Sequence, residues 1–186
     1  MNSQRFVLIA FVLVALAQLY VPAKMIFDRE KILREGKEYK FKTAPVDPTD
    51  FFRGKYITMS YEENSFKVPA TETWDSDENI YVQLTTDKDG FAKILSVSKV
   101  YPHHDADYVK AKVNIVEYNS NDLTKIVFEY PFDRFYMEEF KAGDAEEAYR
   151  ESLRDSAKST YALVSIKDGE AVLKDVMIDG ISIKEY

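Results

Sequence analysis

The chain contains no cysteine. Disulfide staples, thiolate catalysis and thiolate metal sites are therefore excluded. The redox compartment stays open, because a domain of this size can hold together without staples. Histidine is nearly as scarce, with 2 residues, the adjacent His103 and His104. Any imidazole chemistry must use that pair, and the helical H-E-x-x-H spacing of a zinc site is missing. There is no glycine-rich dinucleotide fingerprint and no alternation of strands with helices that would build a parallel sheet. Positive charge is also short: 25 Lys plus Arg face 32 Asp plus Glu, a net charge of -7. That balance argues against a nucleic-acid partner, which needs a concentrated positive surface.

Aromatic residues, in contrast, are plentiful, with 13 Tyr and 12 Phe in 186 residues. Such side chains suit strands and large buried surfaces. The length fits one domain plus an appendage.

The appendage comes first. From Phe6 to Val21 nothing is charged, and only Gln18 is strongly polar. As a helix this run measures about 24 Å, short of the roughly 30 Å of bilayer hydrocarbon. Pro22, Ala23 and the stem of Lys24 can extend it, and Arg5 with the free amine can anchor the other end. Three readings compete: a signal peptide cut after Ala15-Leu16-Ala17, an uncleaved signal anchor, and a buried helix of a soluble domain. The missing polar face weighs against the buried helix. The amphipathic stretch that follows favours the anchor over cleavage. Both leading readings put the domain across the membrane from the cytoplasm, in a single-pass arrangement at the cytoplasmic membrane. Flanking charge orients the segment poorly, since Lys24, Arg29 and Lys31 oppose Arg5 and the amine.

After Pro22, apolar Met25, Ile26, Ile32 and Leu33 recur at helical spacing, with the stem of Arg29 between them. Gly36 is the expected stop, and Pro22 the expected kink or restart. Residues 1–36 thus read as anchor and helical stalk, and residues 37–186 as the folded domain.

In that domain, alternating or apolar runs predict strands over residues 38–43, 55–61, 80–85, 91–98, 108–116, 123–128, 160–166, 171–178 and 181–186. Ile57, Met59 and Tyr61 share one face of the second run. Asp-Gly pairs punctuate the hairpins, and Gly54 and Gly180 read as turn glycines. One helix is expected over residues 144–157. Asp144 would cap it and Glu147 would complete a capping box, with Ala145, Ala148, Tyr149 and Leu153 as its apolar stripe. The pattern as a whole predicts a mainly β (β-rich α+β) domain, built as an antiparallel curved sheet or partly closed barrel with one packed helix.

Three groups could carry chemistry. His103, His104 and Asp105 combine imidazole with carboxylate, as divalent metals require. Neighbours on a strand diverge, however, so they are weak metal candidates and read first as a solvent-facing loop. Asp47, Asp50 and Arg53 can brace a turn or clamp an anion. Glu138 and Glu139 follow an aromatic run and could serve as paired carboxylates, but they too diverge on a strand. Ser60 and Lys55 do not form a serine–lysine peptidase arrangement. No convergent catalytic set emerges and no cofactor is implied. The leading expectation is an accessory or protein-interaction domain, touching a membrane-protein partner through Asp47, Asp50, Arg53, Tyr56, Arg134, Glu138 and Glu139. The alternative is a small-ligand binding domain or a hydrolase using carboxylates or histidine. The first helix makes the lipid bilayer itself a partner, and no defined small molecule is indicated.

Several stretches also resemble a known family. Gly54-Lys55-Tyr56-Ile57-Thr58-Met59-Ser60-Tyr61 resembles the motif that names the bacterial GDYXXLXY domain family, with Lys55 in place of Asp and Met59 in place of Leu. Gln18-Leu19-Tyr20-Val21-Pro22, Arg29-Glu30 with Leu33 and Gly36, and Ala44 to Pro48 extend the likeness. So do Tyr130-Pro131-Phe132-Asp133-Arg134-Phe135-Tyr136, with Pro131 in place of Gly, and the endings Asp168-Gly169-Glu170-Ala171 and Asp179-Gly180. The resemblance implies a membrane-anchored extracytoplasmic protein without assigned chemistry. Lys55 speaks against a reaction or a metal that depended on the family's Asp.

Overall fold

The computed structural model describes residues 3–45, 56–102, 107–118, 123–155 and 158–186, with Ser3 and Glu139 described by backbone alone. A single helix, α1 (Ser3–Glu35), opens the chain. It is long and apolar enough to cross a membrane, and none of its apolar window is buried against protein. At 1.5 Å per residue it measures about 50 Å, which leaves several turns beyond the hydrocarbon. The helix is continuous through Pro22 and does not restart there.

Gly36 ends the helix. Its N–H donates to the Ile32 carbonyl at 2.8 Å. A Cβ at this position would lie 2.4 Å from that oxygen and 3.1 Å from the Ile166 carbonyl oxygen, so the chain can reverse here only without a side chain.

Among the described residues twelve strands follow. They are β1 (Lys37–Ala44), β2 (Tyr56–Thr58), β3 (Ser60–Tyr61), β4 (Ser65–Pro69), β5 (Asn79–Thr86), β6 (Ala92–Ser98), β7 (Tyr108–Tyr118), β8 (Leu123–Glu129), β9 (Arg134–Tyr136), β10 (Thr160–Lys167), β11 (Glu170–Ile178) and β12 (Ile181–Ser182). They form two five-stranded sheets, β12-β11-β10-β1-β3 and β4-β8-β7-β5-β6, and the ribbon β2-β9. Every strand pairing between these elements is antiparallel. The expected β-rich α+β fold with one packed helix and an N-terminal membrane-type helix is the fold observed.

The second sheet curls until its edges β4 and β6 touch. Register shifts between Gln83 and Leu84 and between Val113 and Ile115 bend its long strands. Glu63 closes the seam. Its carboxylate accepts the Ile94 N–H at 3.2 Å and the Lys93 ammonium, while the Tyr130 hydroxyl donates to its backbone carbonyl at 2.7 Å. An edge N–H that would otherwise invite another strand is satisfied from within.

The expected strand over residues 55–61 is interrupted. Met59 leaves the ladder and donates its N–H to the Asp133 carbonyl at 2.8 Å. β2 pairs with β9, while β3 crosses to β1. Ile57, Met59 and Tyr61 nevertheless all point inward and are buried. β4 was absent from the sequence expectation, because its run SFKVP is only five residues long and ends in Pro69.

α2 (Glu139–Arg154) begins five residues before the expected Asp144. Asp144 is therefore inside the helix and no capping box forms there. The carbonyl of Glu138 accepts the first turn's N–H groups from Lys141 and Ala142. The route out of β9 sets the start, and the helix runs through Gly143 despite its cost of roughly 0.5–1 kcal/mol. Ala145, Tyr149 and Ser152 are its buried contacts. The Thr43 hydroxyl donates to the Thr160 carbonyl, and Thr160 in turn donates to Ser152, which ties α2 to the first sheet.

One core joins everything. Phe41 from β1 meets Tyr61, Tyr130 and Phe132 at ring separations of 5.1–5.6 Å, edge to face. Where the sheets abut, Gly169 (φ +81°) lets Tyr108 approach so closely that a Cβ would sit 2.3 Å from its ring.

Candidate functional site

The two segments that carried the family resemblance are neighbours in space. Ile57 pairs with Phe135, Thr58 with Arg134 and Tyr56 with Tyr136. The Tyr61 hydroxyl donates to the Phe132 carbonyl at 2.7 Å, beside the Met59–Asp133 bond. Burial of Tyr61 pushes its phenol well above the usual range. It is a structural tyrosine, locked neutral in the aromatic core.

The ribbon's two faces differ. Inward, Ile57 and Phe135 are each 4% exposed. Outward stand Tyr56, Arg134 and Tyr136. The Arg134 guanidinium lies 5.0 Å from the Tyr56 ring centroid, and the Tyr56 and Tyr136 rings are 5.5 Å apart. A hydrogen bond to Tyr136 and the charge of Asp133 hold the Arg134 cation more firmly protonated than usual. Its ion pair with Asp133 is loose, at 3.7 Å. The planar cation is thus positioned by two aromatic rings, with hydrogen-bonding capacity left for a partner.

Beside the ribbon lies a groove of about 450 Å³, walled by β9, β11 and α1. Arg29, Arg134, Lys174 and Lys184 line it, with Asp133 as the lining carboxylate. Lys184 lies 5.4 Å from the Phe135 ring centroid and 3.5 Å from Asp175. Lys174 pairs with Glu38 at 2.8 Å. A smaller hollow of about 270 Å³ has acidic walls from Asp144, Glu147 and Glu151.

Of the residues expected to make a contact site, Tyr56 and Arg134 come together. Glu138 stands at the start of α2 in extended conformation, contributes no side-chain cap and does not line the groove. Glu139 is the first residue of α2, described by backbone alone. Asp47, Asp50, Arg53 and Gly54 lie outside the described residues, as do His103, His104 and Asp105. Gly180 (φ 83°) forms the β11–β12 turn with Asp179 (φ 51°). Tyr136, Lys174 and Lys184 were missed. Lys174 and Lys184 have no neighbours in sequence that mark them, and only the return of β11 and the chain end toward α1 brings them to Arg29.

A family profile described as GDYXXLXY protein matches residues 18–176. The chain belongs to the GDYXXLXY protein family. The match takes in the end of the apolar helix, the ribbon and the groove's lining residues except Lys184. Comparison with curated proteins and with solved structures finds no match. The family and the apolar helix make this a membrane-associated domain.

Proposed function

We propose that the chain is an accessory domain on the extracytoplasmic side of the cytoplasmic membrane. Residues 1–36 anchor it, and residues 37–186 contact a membrane-protein partner through the outer face of the β2–β9 ribbon. The observation that carries this reading is the outward cluster of Tyr56, Arg134 and Tyr136. Arginine and tyrosine are the residue types that dominate binding energy at protein interfaces, because they combine large contact area with polar tips. Tyr136 is 65% exposed although it sits on a strand whose next residue inward is core. Holding Arg134 against a ring in advance lowers the ordering cost of a contact.

Site-specific photocrosslinking in intact membranes tests it. A photoreactive residue replacing Tyr136 should give a discrete cross-linked product with another membrane protein. Arg134→Ala in the same chain should weaken that product about tenfold, the scale of a strong interface residue. A product formed equally well from Lys125, on the curled sheet, or none from Tyr136, contradicts the proposal.

A further inference from the structure

The groove has a feature that a protein contact does not explain: it opens beside the helix that enters the bilayer. The depth follows from helix geometry. Arg29 is five residues beyond Lys24, about 7.5 Å along the axis. Phe27, 74% exposed, is the last large apolar residue left uncovered on the helix. Arg29 lies only about 3 Å beyond it. The headgroup layer is roughly 5–8 Å thick on each side of the hydrocarbon. Both bounds put Arg29 at headgroup level.

The sheet is brought to the same level by the reversal at Gly36. Glu35 pairs with Lys167 at 2.6 Å, at the β10–β11 turn, while Arg29 shares the groove with Leu173 and Lys174 farther along β11. From Glu35 back to Arg29 the helix therefore runs alongside β11, away from its turn. Following the same direction, the chain leads to the 3-10 turn Ile183–Glu185 and to Lys184. The groove thus takes Arg29 from the helix, Lys174 from β11 and Lys184 from the chain end.

In a chain of net charge -7, four cations line the groove against the single carboxylate of Asp133. Lys174 and Lys184 are held by Glu38 and Asp175, but Arg29 makes no ion pair among the described residues, and Arg134 makes only its 3.7 Å one. Two guanidinium forks with spare donors, flanked by two ammonium groups, match the oxygens of a phosphate.

We infer that this groove binds the phosphate of an anionic lipid headgroup from the membrane in which α1 is anchored. The lipid tails run down beside Met25, Ile26 and Phe27, and the phosphate sits between Arg29 and Arg134. Such a contact fixes the domain's tilt against the bilayer, which a single helix with a short docking surface does only weakly.

Native mass spectrometry of the full chain tests it, released from micelles containing equal phosphatidylglycerol and phosphatidylcholine. The unmodified chain should retain phosphatidylglycerol preferentially. Arg29→Gln breaks no ion pair among the described residues and should lower that preference about threefold, and Arg29→Gln with Lys174→Gln and Lys184→Gln about tenfold, the scale of lost charge-assisted bonds. Lys110→Gln with Lys112→Gln and Lys125→Gln removes the same charge from the curled sheet and should leave the preference unchanged. Equal loss in both triple variants overturns the inference, because net charge alone would then act. So does an unchanged preference in the groove triple. Displacement of the lipid by an equal concentration of glycerol 3-phosphate overturns the lipid assignment in favour of a soluble phosphate. The readout involves no protein partner and spares Arg134, so its failure leaves the ribbon's contact role standing, and failure of the crosslink leaves this inference standing.

Discussion

The curled sheet and the helix-side groove use the same cations in different ways. Around the curled sheet four lysines are answered by carboxylates: Lys99 by Glu78 at 2.7 Å, Lys112 by Asp77 at 2.7 Å, Lys110 by Glu170 at 2.6 Å and Lys125 by Glu117 at 3.3 Å. Around the groove and ribbon only Lys174 is held as closely, by Glu38 at 2.8 Å; the pairing loosens to 3.5 Å for Lys184 and 3.7 Å for Arg134, and Arg29 has no ion pair among the described residues. A surface that neutralises its own charge has little left to offer a ligand. The proposed division of labour follows: the curled sheet as scaffold, and the helix-side face as the surface for recognition.

The largest expected effect comes from cutting the link between the two regions. Phe41→Ala removes the ring that touches Tyr61, Tyr130 and Phe132. It should cost about 3–5 kcal/mol, as large aromatic truncations in a core do. Urea unfolding of the full chain in detergent should show one destabilised transition. Retention of a curled sheet that melts at its original midpoint would break the picture of one shared core.

Next comes the seam. Glu63→Gln weakens the closure to Ile94 and Lys93 and should cost about 1–2 kcal/mol, typical of charge-assisted bonds. Thermal unfolding should show the loss with no change in lipid preference. A change in lipid preference would mean that the two regions do not work separately.

An acid-dependent joint comes third. Partial burial pushes the Asp107 carboxyl up, but hydrogen bonds donated by Lys37 and Tyr39 outweigh it and hold the group below its ordinary value of 3.8. The folded state thus binds fewer protons than the unfolded one near that pH. The contribution is complete above the ordinary value and disappears as pH falls through the depressed one. Asp87 behaves alike, because its carboxylate accepts the Phe91 and Asp89 N–H groups. Melting temperature should fall as the solution is taken below about pH 4. Asp107→Asn should make that acid limb shallower, and an identical limb in both proteins would remove Asp107 from the joint.

The smallest effects belong to the curled sheet's outer pairs. Lys112→Ala and Lys125→Ala should each cost under about 0.5 kcal/mol, the usual worth of exposed ion pairs. A loss above 1 kcal/mol in chemical denaturation would show that these pairs brace the sheet after all.

The comparison also marks where sequence reasoning stops. Alternation made most of the long strands legible, and Ile57, Met59 and Tyr61 face inward as that alternation requires. The switch at Met59 was hidden, because leaving one ladder for another changes hydrogen-bond partners without changing the inward-outward pattern. The start of α2 was misplaced because a plausible cap at Asp144 competes with a tertiary cause, the exit from β9. At the site, Tyr56 and Arg134 were legible singly, as members of two motif segments. Their meeting depends on strand register, and the approach of Lys174 and Lys184 to Arg29 depends on which strand lies alongside α1 after the expected stop at Gly36, which no local pattern encodes.

The proposed arrangement is a domain held outside the cytoplasm by one membrane helix. The chain's lack of cysteine makes it directly measurable, since a single introduced thiol reports without background. Lys125→Cys lies on the exposed side of the curled sheet and Leu13→Cys lies mid-helix. Treating intact cells with a membrane-impermeant thiol reagent should label Lys125→Cys fully and leave Leu13→Cys unlabelled. Labelling of Lys125→Cys only after the cells are broken would place the domain on the cytoplasmic side and contradict the account.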